Sequence, residues 1–213
     1  MLPRPDRAHL ARALPRLALG LVLCGTGIAA MVLADLGLGP WDVLHQGLSD
    51  RTGIPIGTVT IGVGFLVLLA WVPLRERVGI GTLANVVVIG LVVDGWLAVV
   101  DAPSSVAVRV PLVALGPVLF GVGSGLYIGA ALGPGPRDGL MTGLARRGAP
   151  TWSVRAGLEL TALAVGAALG GTVGVGTVWF ALGIGPLVHL ALRHLSLDPP
   201  PGAGAPGGRV SAR

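Results

Sequence analysis

The chain has 213 residues, of which 53% are hydrophobic and only 12% charged, so it is too apolar for an ordinary soluble domain. The composition predicts a membrane protein. The net charge of +5 comes from 15 basic residues, all arginine, spread over loops and ends. That spread excludes a nucleic-acid partner, and orientation in the bilayer explains it better. A single cysteine, Cys24, excludes an intramolecular disulfide and a cysteine-based zinc site.

The N-terminal segment 1–16 is rich in arginine and precedes an apolar run over 17–34. This run is longer than the core of a typical signal peptide, which has about 7–15 residues, so we interpret it as a first membrane span. Runs of roughly 20 apolar residues predict six spans in all. These lie at 17–35, 56–72, 80–99, 110–131, 153–170 and 175–193.

The distribution of the arginines predicts how these spans are oriented in the bilayer. If the N-terminus is cytoplasmic, only Arg51 and Arg109 of the 15 arginines fall outside, which is a strong positive-inside pattern. We therefore expect both termini in the cytoplasm of a bacterial cell, with 99–112 as an external connection between two membrane units. The Pro- and Gly-rich segment 194–213 is predicted to be a disordered cytoplasmic tail.

The two membrane units, 17–98 and 113–193, are copies of each other. Residues 36–48 read LGLGPWDVLHQGL and residues 132–144 read LGPGPRDGLMTGL, with eight of thirteen positions identical. The pattern V-G-x-G-T also recurs, at 78–82 and 173–177. Each copy contains three predicted spans, an odd number, so the second copy is predicted to be inverted relative to the first.

Each Gly-x-Gly-Pro-x-Asp motif predicts the start of a short helix. Gly39-Pro40 and Gly135-Pro136 place proline at the first helical position, and Asp42 and Asp138 then fall near the positive end of the helix dipole. A helix of about eleven residues is roughly 16 Å long and cannot cross the bilayer. It either enters the membrane as a re-entrant helix or lies at the interface, and the sequence does not decide between the two.

Other polar residues extend the candidate site. Gln46 and Thr142 lie one helical turn beyond the aspartates. Glu159 follows Arg155 by four residues, so it either forms an ion pair at a helix end or provides a carboxylate to a cavity. Asp94 and His189 are expected at the membrane interfaces.

No enzyme is predicted. The chain has no HExxH or GxSxG motif, and Val122 stands where a rhomboid-type serine motif around Ser124 needs glycine. We expect neither a cofactor nor a metal.

The repeated Gly-Pro-x-Asp motifs resemble those of the bacterial YczE/YyaS/YitT membrane proteins, and the resemblance covers most of the chain. YitT-like members often carry a soluble C-terminal domain, whereas the Pro- and Gly-rich tail of this chain is more similar to that of the YczE-like members. The resemblance implies a multi-pass inner-membrane protein and supplies no substrate.

Two functions are compatible with this pattern. The first is a small transporter or pore that binds a neutral solute or a cation at the motifs, with one half rocking against the other. The second is a membrane partner or assembly factor that docks another complex through glycine-rich helix faces, such as those of Gly121, Gly125 and Gly129 or of Gly166 and Gly170. A homodimer is compatible with both, and the lipid bilayer is the expected surrounding of either.

Overall fold

The computed structural model describes residues 7–197, and this part of the chain is entirely α-helical. Eight helices follow one another in it: α1 Arg7–Ala34, α2 Pro40–Thr52, α3 Ile56–Leu74, α4 Ile80–Val99, α5 Val106–Gly129, α6 Pro136–Ala145, α7 Thr151–Leu169 and α8 Val175–Leu195. Residues 1–6 and 198–213 lie outside the described residues, and with them most of the predicted tail.

Five of these helices are long and apolar enough to cross a membrane, namely α1, α3, α4, α5 and α8. The 19-residue α7 is not among them because Arg155 and Glu159 lower its hydropathy. The 13 residues of α2 and the 10 of α6 confirm that the motif helices are too short to span. The predicted all-α, multi-pass architecture is thereby confirmed at the level of its helices.

The first helix begins ten residues before the predicted start of its span, at Arg7 rather than at residue 17. Its additional turns pack on the ends of later helices. The His9 ring nitrogen Nε2 lies 3.2 Å from the carbonyl oxygen of Ala130, and Arg16 donates to the carbonyl of Leu195 at 2.9 Å. Hydropathy locates only the apolar part of such a helix, so it misses this extension.

Helices α1, α4, α5 and α8 form one group, here called the core layer. Within it α1 crosses α5, α4 packs on α1, and α8 packs on α5. The α1–α5 crossing is close because glycines face it, and a Cβ atom at Gly20 would lie 2.6 Å from the carbonyl oxygen of Gly123. A matching contact joins Gly27 to Gly116, so residue numbers rise along α1 as they fall along α5. The two helices are antiparallel.

The remaining helices, α2, α3, α6 and α7, form the motif layer. Here the short helix of each half packs on a long helix of the other half: α2 of the first half packs on α7 of the second, and α6 of the second half packs on α3 of the first. Arg51 near the end of α2 donates to the carbonyl of Leu169 in α7 at 3.2 Å. Correspondingly, Arg146 after α6 donates to Glu76, just beyond α3, at 2.8 Å. Neither half of the sequence is therefore a separate body.

The two repeated sequence patterns contact each other across the halves. The backbone N–H of Gly81, in V-G-x-G-T of the first half, donates to the Leu132 carbonyl in the motif of the second half at 2.9 Å. The backbone N–H of Gly176 donates to the Leu36 carbonyl at the same distance. Each motif loop is thus held by the helix start of the opposite copy.

The glycine-rich faces pack inside the chain. Gly121, Gly125 and Gly129 of α5 lie against α8, where added Cβ atoms would meet Leu187, Ala191 and Ser196 at 2.4–2.8 Å. Gly166 of α7 lies against the backbone of Val43 and Leu44 in α2, and Gly170 ends α7 in a left-handed conformation. The three glycines of α5 and Gly166 are therefore covered within the molecule, whereas Gly170 is exposed.

Candidate functional site

Both motif helices begin beside one cavity of about 220 Å³ that lies between the two layers. The core layer contributes an apolar wall that includes Ile28, Phe120, Phe180 and Ile184. The motif layer contributes the polar groups of α2 and α6. The cavity therefore has the composition of a small-molecule site, with apolar walls and a few polar groups that converge.

The local sequence explains why both helices start here. Gly37 and Gly133 have φ angles of +110° and +131°, which turn the chain back towards the protein interior after α1 and α5. Pro40 and Pro136 then occupy the first helical position, where a missing N–H costs nothing. Gly39 and Gly135, the N-cap residues, leave room for the carboxylates, because a Cβ atom at either would lie 3.1 Å from the Oδ2 atom of Asp42 or Asp138.

Asp42 is buried and lies between two basic side chains. Its Oδ1 atom is 3.4 Å from Nδ1 of His45 and 3.8 Å from Nη2 of Arg137, which comes from the other motif helix. The Asp42 side chain is only 3% exposed, against 30% for Arg137. An ion pair thus joins the beginnings of α2 and α6.

Asp138 has different neighbours although it is the equivalent residue. The hydroxyl of Tyr127 donates to its Oδ2 atom at 3.1 Å. Among the described residues no arginine or histidine nitrogen lies within 4.0 Å of its carboxylate. The two aspartates of the repeat are therefore not equivalent in charge balance.

Trp41 and Arg137 occupy the variable position of the two Gly-Pro-x-Asp motifs and meet each other. The Arg137 guanidinium lies 4.8 Å from the centroid of the Trp41 ring, a cation–π geometry. Both side chains line the cavity. A position that differs in chemistry between the two motifs is thus one of the places where the copies contact each other.

Glu159 and Arg155 lie at the accessible end of the cavity. They form the predicted i,i+4 ion pair, with Nε of Arg155 2.9 Å from Oε1 of Glu159, and both also line the cavity. Their side chains are 47% and 34% exposed, whereas His45 is 1% exposed. The cavity therefore runs from an exposed pair on α7 to a buried pair on α2.

Of the nine residues that the sequence suggested for the site, seven line this cavity: Gly39, Pro40, Asp42, Gly135, Pro136, Asp138 and Glu159. Gln46 and Thr142 do not. Gln46 accepts a hydrogen bond from the backbone N–H of Thr172 at 2.6 Å, and Thr142 donates to backbone carbonyls of its own helix. These two side chains stabilise local structure.

Several cavity residues were not among the predicted site residues, notably His45, Arg137, Tyr127 and Asn85. At the level of sequence, Arg137 contributed only to the predicted orientation of the spans in the membrane. One signal was available, namely the non-matching position within an otherwise repeated motif. The partners of these side chains come from the other half of the chain, which periodicity does not bring together.

Of three other polar residues that the sequence singled out, two have structural neighbours. Asp94 accepts the backbone N–H of Gly57 at 2.6 Å and the hydroxyl of Thr58 at 2.8 Å, at the start of α3. Ser124 Oγ lies 3.7 Å from Cys24 Sγ, and His189 is exposed.

The apolar helices and the buried polar cavity define a multi-pass membrane protein. The chain belongs to the family of unknown function DUF6198, whose model matches residues 11–193. It is 38% identical over 184 residues to an uncharacterised protein of Haemophilus influenzae, covering 86% of this chain and 84% of the relative. It is 34% identical over 179 residues to the uncharacterised membrane protein YczE of Bacillus subtilis, covering 81% and 82%.

A further relative, the uncharacterised protein YyaS of the same bacterium, is 28% identical over 127 residues, covering 57% of this chain and 63% of the relative. The resemblance to YczE and YyaS predicted from the motifs is therefore confirmed. No solved structure matches the chain.

Proposed function

We propose that the chain is a small-solute transporter of the bacterial inner membrane whose binding site is the cavity between the core and motif layers. One observation carries the proposal: Arg137 of α6 reaches Asp42 of α2, at 3.8 Å, inside that cavity. Charged groups away from water are costly in a membrane protein and are usually retained for a function. If each aspartate only capped a short helix lying at the membrane interface, the starts of the two motif helices would have no reason to meet.

The contacts also support a transporter architecture of two inverted repeats. Equivalent helices α1 and α5 are antiparallel, and short helices from opposite copies begin at a shared site, as in many secondary transporters. We count α7 as the sixth span because its charged pair faces the cavity rather than lipid. Both termini then lie in the cytoplasm, in agreement with the arginine distribution.

The layers, rather than the halves, are the units that we expect to move. The exchange of α2 and α6 between halves prevents one half from rocking as a body. On one side α3 packs against α4, but the equivalent α7 makes few contacts with α8. The exposed Arg155–Glu159 pair lies at the gap between α7 and α8, so we expect the cavity to open towards the cytoplasm in this conformation. If α7 closed onto α8 while α3 separated from α4, the cavity would instead open towards the opposite face.

The proposal is tested by solute release from proteoliposomes. Vesicles that contain the purified protein are loaded with a mixture of primary amines, amino acids and polyols, and the external medium is followed by mass spectrometry. We expect release of a subset of solutes above protein-free vesicles, and loss of that release in Asp42→Asn/Asp138→Asn. Asp50→Asn, an exposed acidic residue of α2, is the matched control and should release solutes normally.

Two outcomes would contradict the proposal. If vesicles made with a monodisperse protein sample release no more solute than protein-free vesicles, the chain is not a transporter of the solutes tested and the proposal is wrong. Normal release by the double variant would remove both aspartates from the mechanism. The alternative function as a docking partner lacks a comparable observation, because the glycines of α5 and Gly166, on which it mainly depends, are covered within the chain.

A further inference from the structure

The charges of the cavity do not balance. Three carboxylates line it, those of Asp42, Asp138 and Glu159, against two guanidinium groups, those of Arg137 and Arg155. Arg155 pairs with Glu159 at 2.9 Å and Arg137 pairs with Asp42 at 3.8 Å. Asp138 is left over.

The repeat explains why the excess falls on Asp138. Arg137 extends from the second motif to the aspartate of the first. The residue that would make the reciprocal contact is Trp41, which has no positive charge. Position 45 also differs between the motifs, because His45 lies beside Asp42 whereas its counterpart near Asp138 is Met141. Asp42 thus has basic side chains within 4.0 Å, although its Oδ1 atom has no hydrogen-bond partner among the described residues, whereas Asp138 accepts from Tyr127 and has no arginine or histidine nitrogen at that distance.

A second, independent group offers a lone pair to the same cavity. The Thr60 hydroxyl donates to the Ile56 carbonyl at 2.9 Å, so its oxygen accepts from Nδ1 of His45 at 3.1 Å. The other neighbour of Nδ1 is the Asp42 carboxylate, also an acceptor. Nδ1 therefore carries the proton of the neutral ring, and Nε2 is a hydrogen-bond acceptor. Nε2 is buried and has no partner among the described residues.

We propose, building on the transporter function above, that the substrate is a protonated amine with an apolar body. Its ammonium group binds the Asp138 carboxylate, and its carbon skeleton packs on the wall of Ile28, Phe120, Phe180 and Ile184. The unpartnered Nε2 of His45 accepts a further hydrogen bond from the substrate or from water that accompanies it. A hard metal ion would need several oxygen ligands, and this largely apolar wall does not supply them.

Binding to the purified protein in detergent tests the inference independently of transport. Benzylamine is the probe, with benzyl alcohol and benzoate as neutral and anionic compounds of similar shape, and isothermal titration calorimetry is the readout. We expect benzylamine to bind more tightly than either. Asp138→Asn should weaken it by about 10- to 100-fold, the value of a charged hydrogen bond, while Asp138→Glu retains binding and Asp50→Asn is the matched control.

Trp41→Arg provides a sharper test because it leaves Asp138 in place. Position 41 is equivalent to position 137 in the repeat, so we expect an arginine there to neutralise Asp138 as Arg137 neutralises Asp42, and benzylamine binding should fall by a similar factor. Melting temperatures of all variants identify any that do not fold, and the remaining folded variants decide the result.

The outcomes separate the inference from the proposed function. The amine would be wrong as the substrate if folded Asp138→Asn bound benzylamine as well as the original protein does, or if benzoate or benzyl alcohol bound more tightly than benzylamine. Neither result would bear on transport itself, which the solute-release experiment tests. Unchanged benzylamine binding in folded Trp41→Arg would overturn the assignment of the ammonium site to Asp138. An absence of benzylamine binding to the original protein would also overturn the inference.

Discussion

Gly37 and Gly133 show how a single residue type sets the geometry of the site. Each has a left-handed backbone that L side chains rarely adopt, and each is also enclosed. A Cβ atom at Gly37 would lie 2.6 Å from the backbone nitrogen of Gly174, and one at Gly133 would lie 2.8 Å from Oγ1 of Thr82. The turn and its docking onto the opposite copy therefore both require glycine.

Gly133→Ala tests this requirement. We expect a loss of about 1–3 kcal/mol of stability from backbone strain, seen as a lower melting temperature in detergent. Gly62→Ala is the control, because Gly62 lies within α3 with nothing near its Cβ position, and alanine favours a helix there. Equal melting temperatures for Gly133→Ala and the original protein would show that the loop can adopt another path.

Sequence reasoning at the residue scale found the repeated aspartates but not their partners. Asp42 and Asp138 are conspicuous because they recur in matching positions, and both line the cavity. Arg137 and His45 do not recur, so no periodic pattern marks them. Only the contact of Arg137 with Asp42, 3.8 Å across the starts of α6 and α2, reveals that one of the two aspartates has basic side chains within 4.0 Å and the other has none.

At the scale of elements, the six predicted apolar segments each overlap a helix, and the two motif helices begin at their prolines as predicted. The differences are physical. Helix α1 extends beyond its apolar part, and helix partners are chosen by packing that hydropathy does not encode. The exchange of α2 and α6 between halves could not be predicted, because both motif helices have similar lengths and polar faces.

Asp94 supports one of these elements. It accepts two hydrogen bonds at the first turn of α3, where backbone N–H groups have no helical partner. Asp94→Ala should therefore lower stability by about 0.5–2 kcal/mol, the usual cost of losing a helix cap, measured as a shift in melting temperature.

Asp101→Ala is the matched control, since Asp101 is an exposed acidic residue just beyond α4. If the two variants melt alike, α3 does not depend on this contact. Solute release by Asp94→Ala, corrected for the folded fraction, should be normal because Asp94 does not line the cavity.

At the scale of the whole molecule, the proposed inward opening predicts one-sided access to the cavity. In a Cys24→Ser background, Val188→Cys on α8 lies in the cavity wall, and a water-soluble maleimide should label it from the cytoplasmic side. Leu182→Cys, on the same helix and 73% exposed but outside the cavity, should remain unlabelled because it faces lipid. Labelling of Val188→Cys from the external side alone would reverse the orientation.

The exchange of motif helices also determines the order in which the protein can be made. Helix α2 leaves the ribosome long before α7, its packing partner, has been synthesised. During that interval His45 already has Thr60 of α3 nearby, but Asp42 lacks Arg137 of the second half. We therefore expect insertion of the first half and its final packing to be separate events, with assembly completed only when the last two helices arrive.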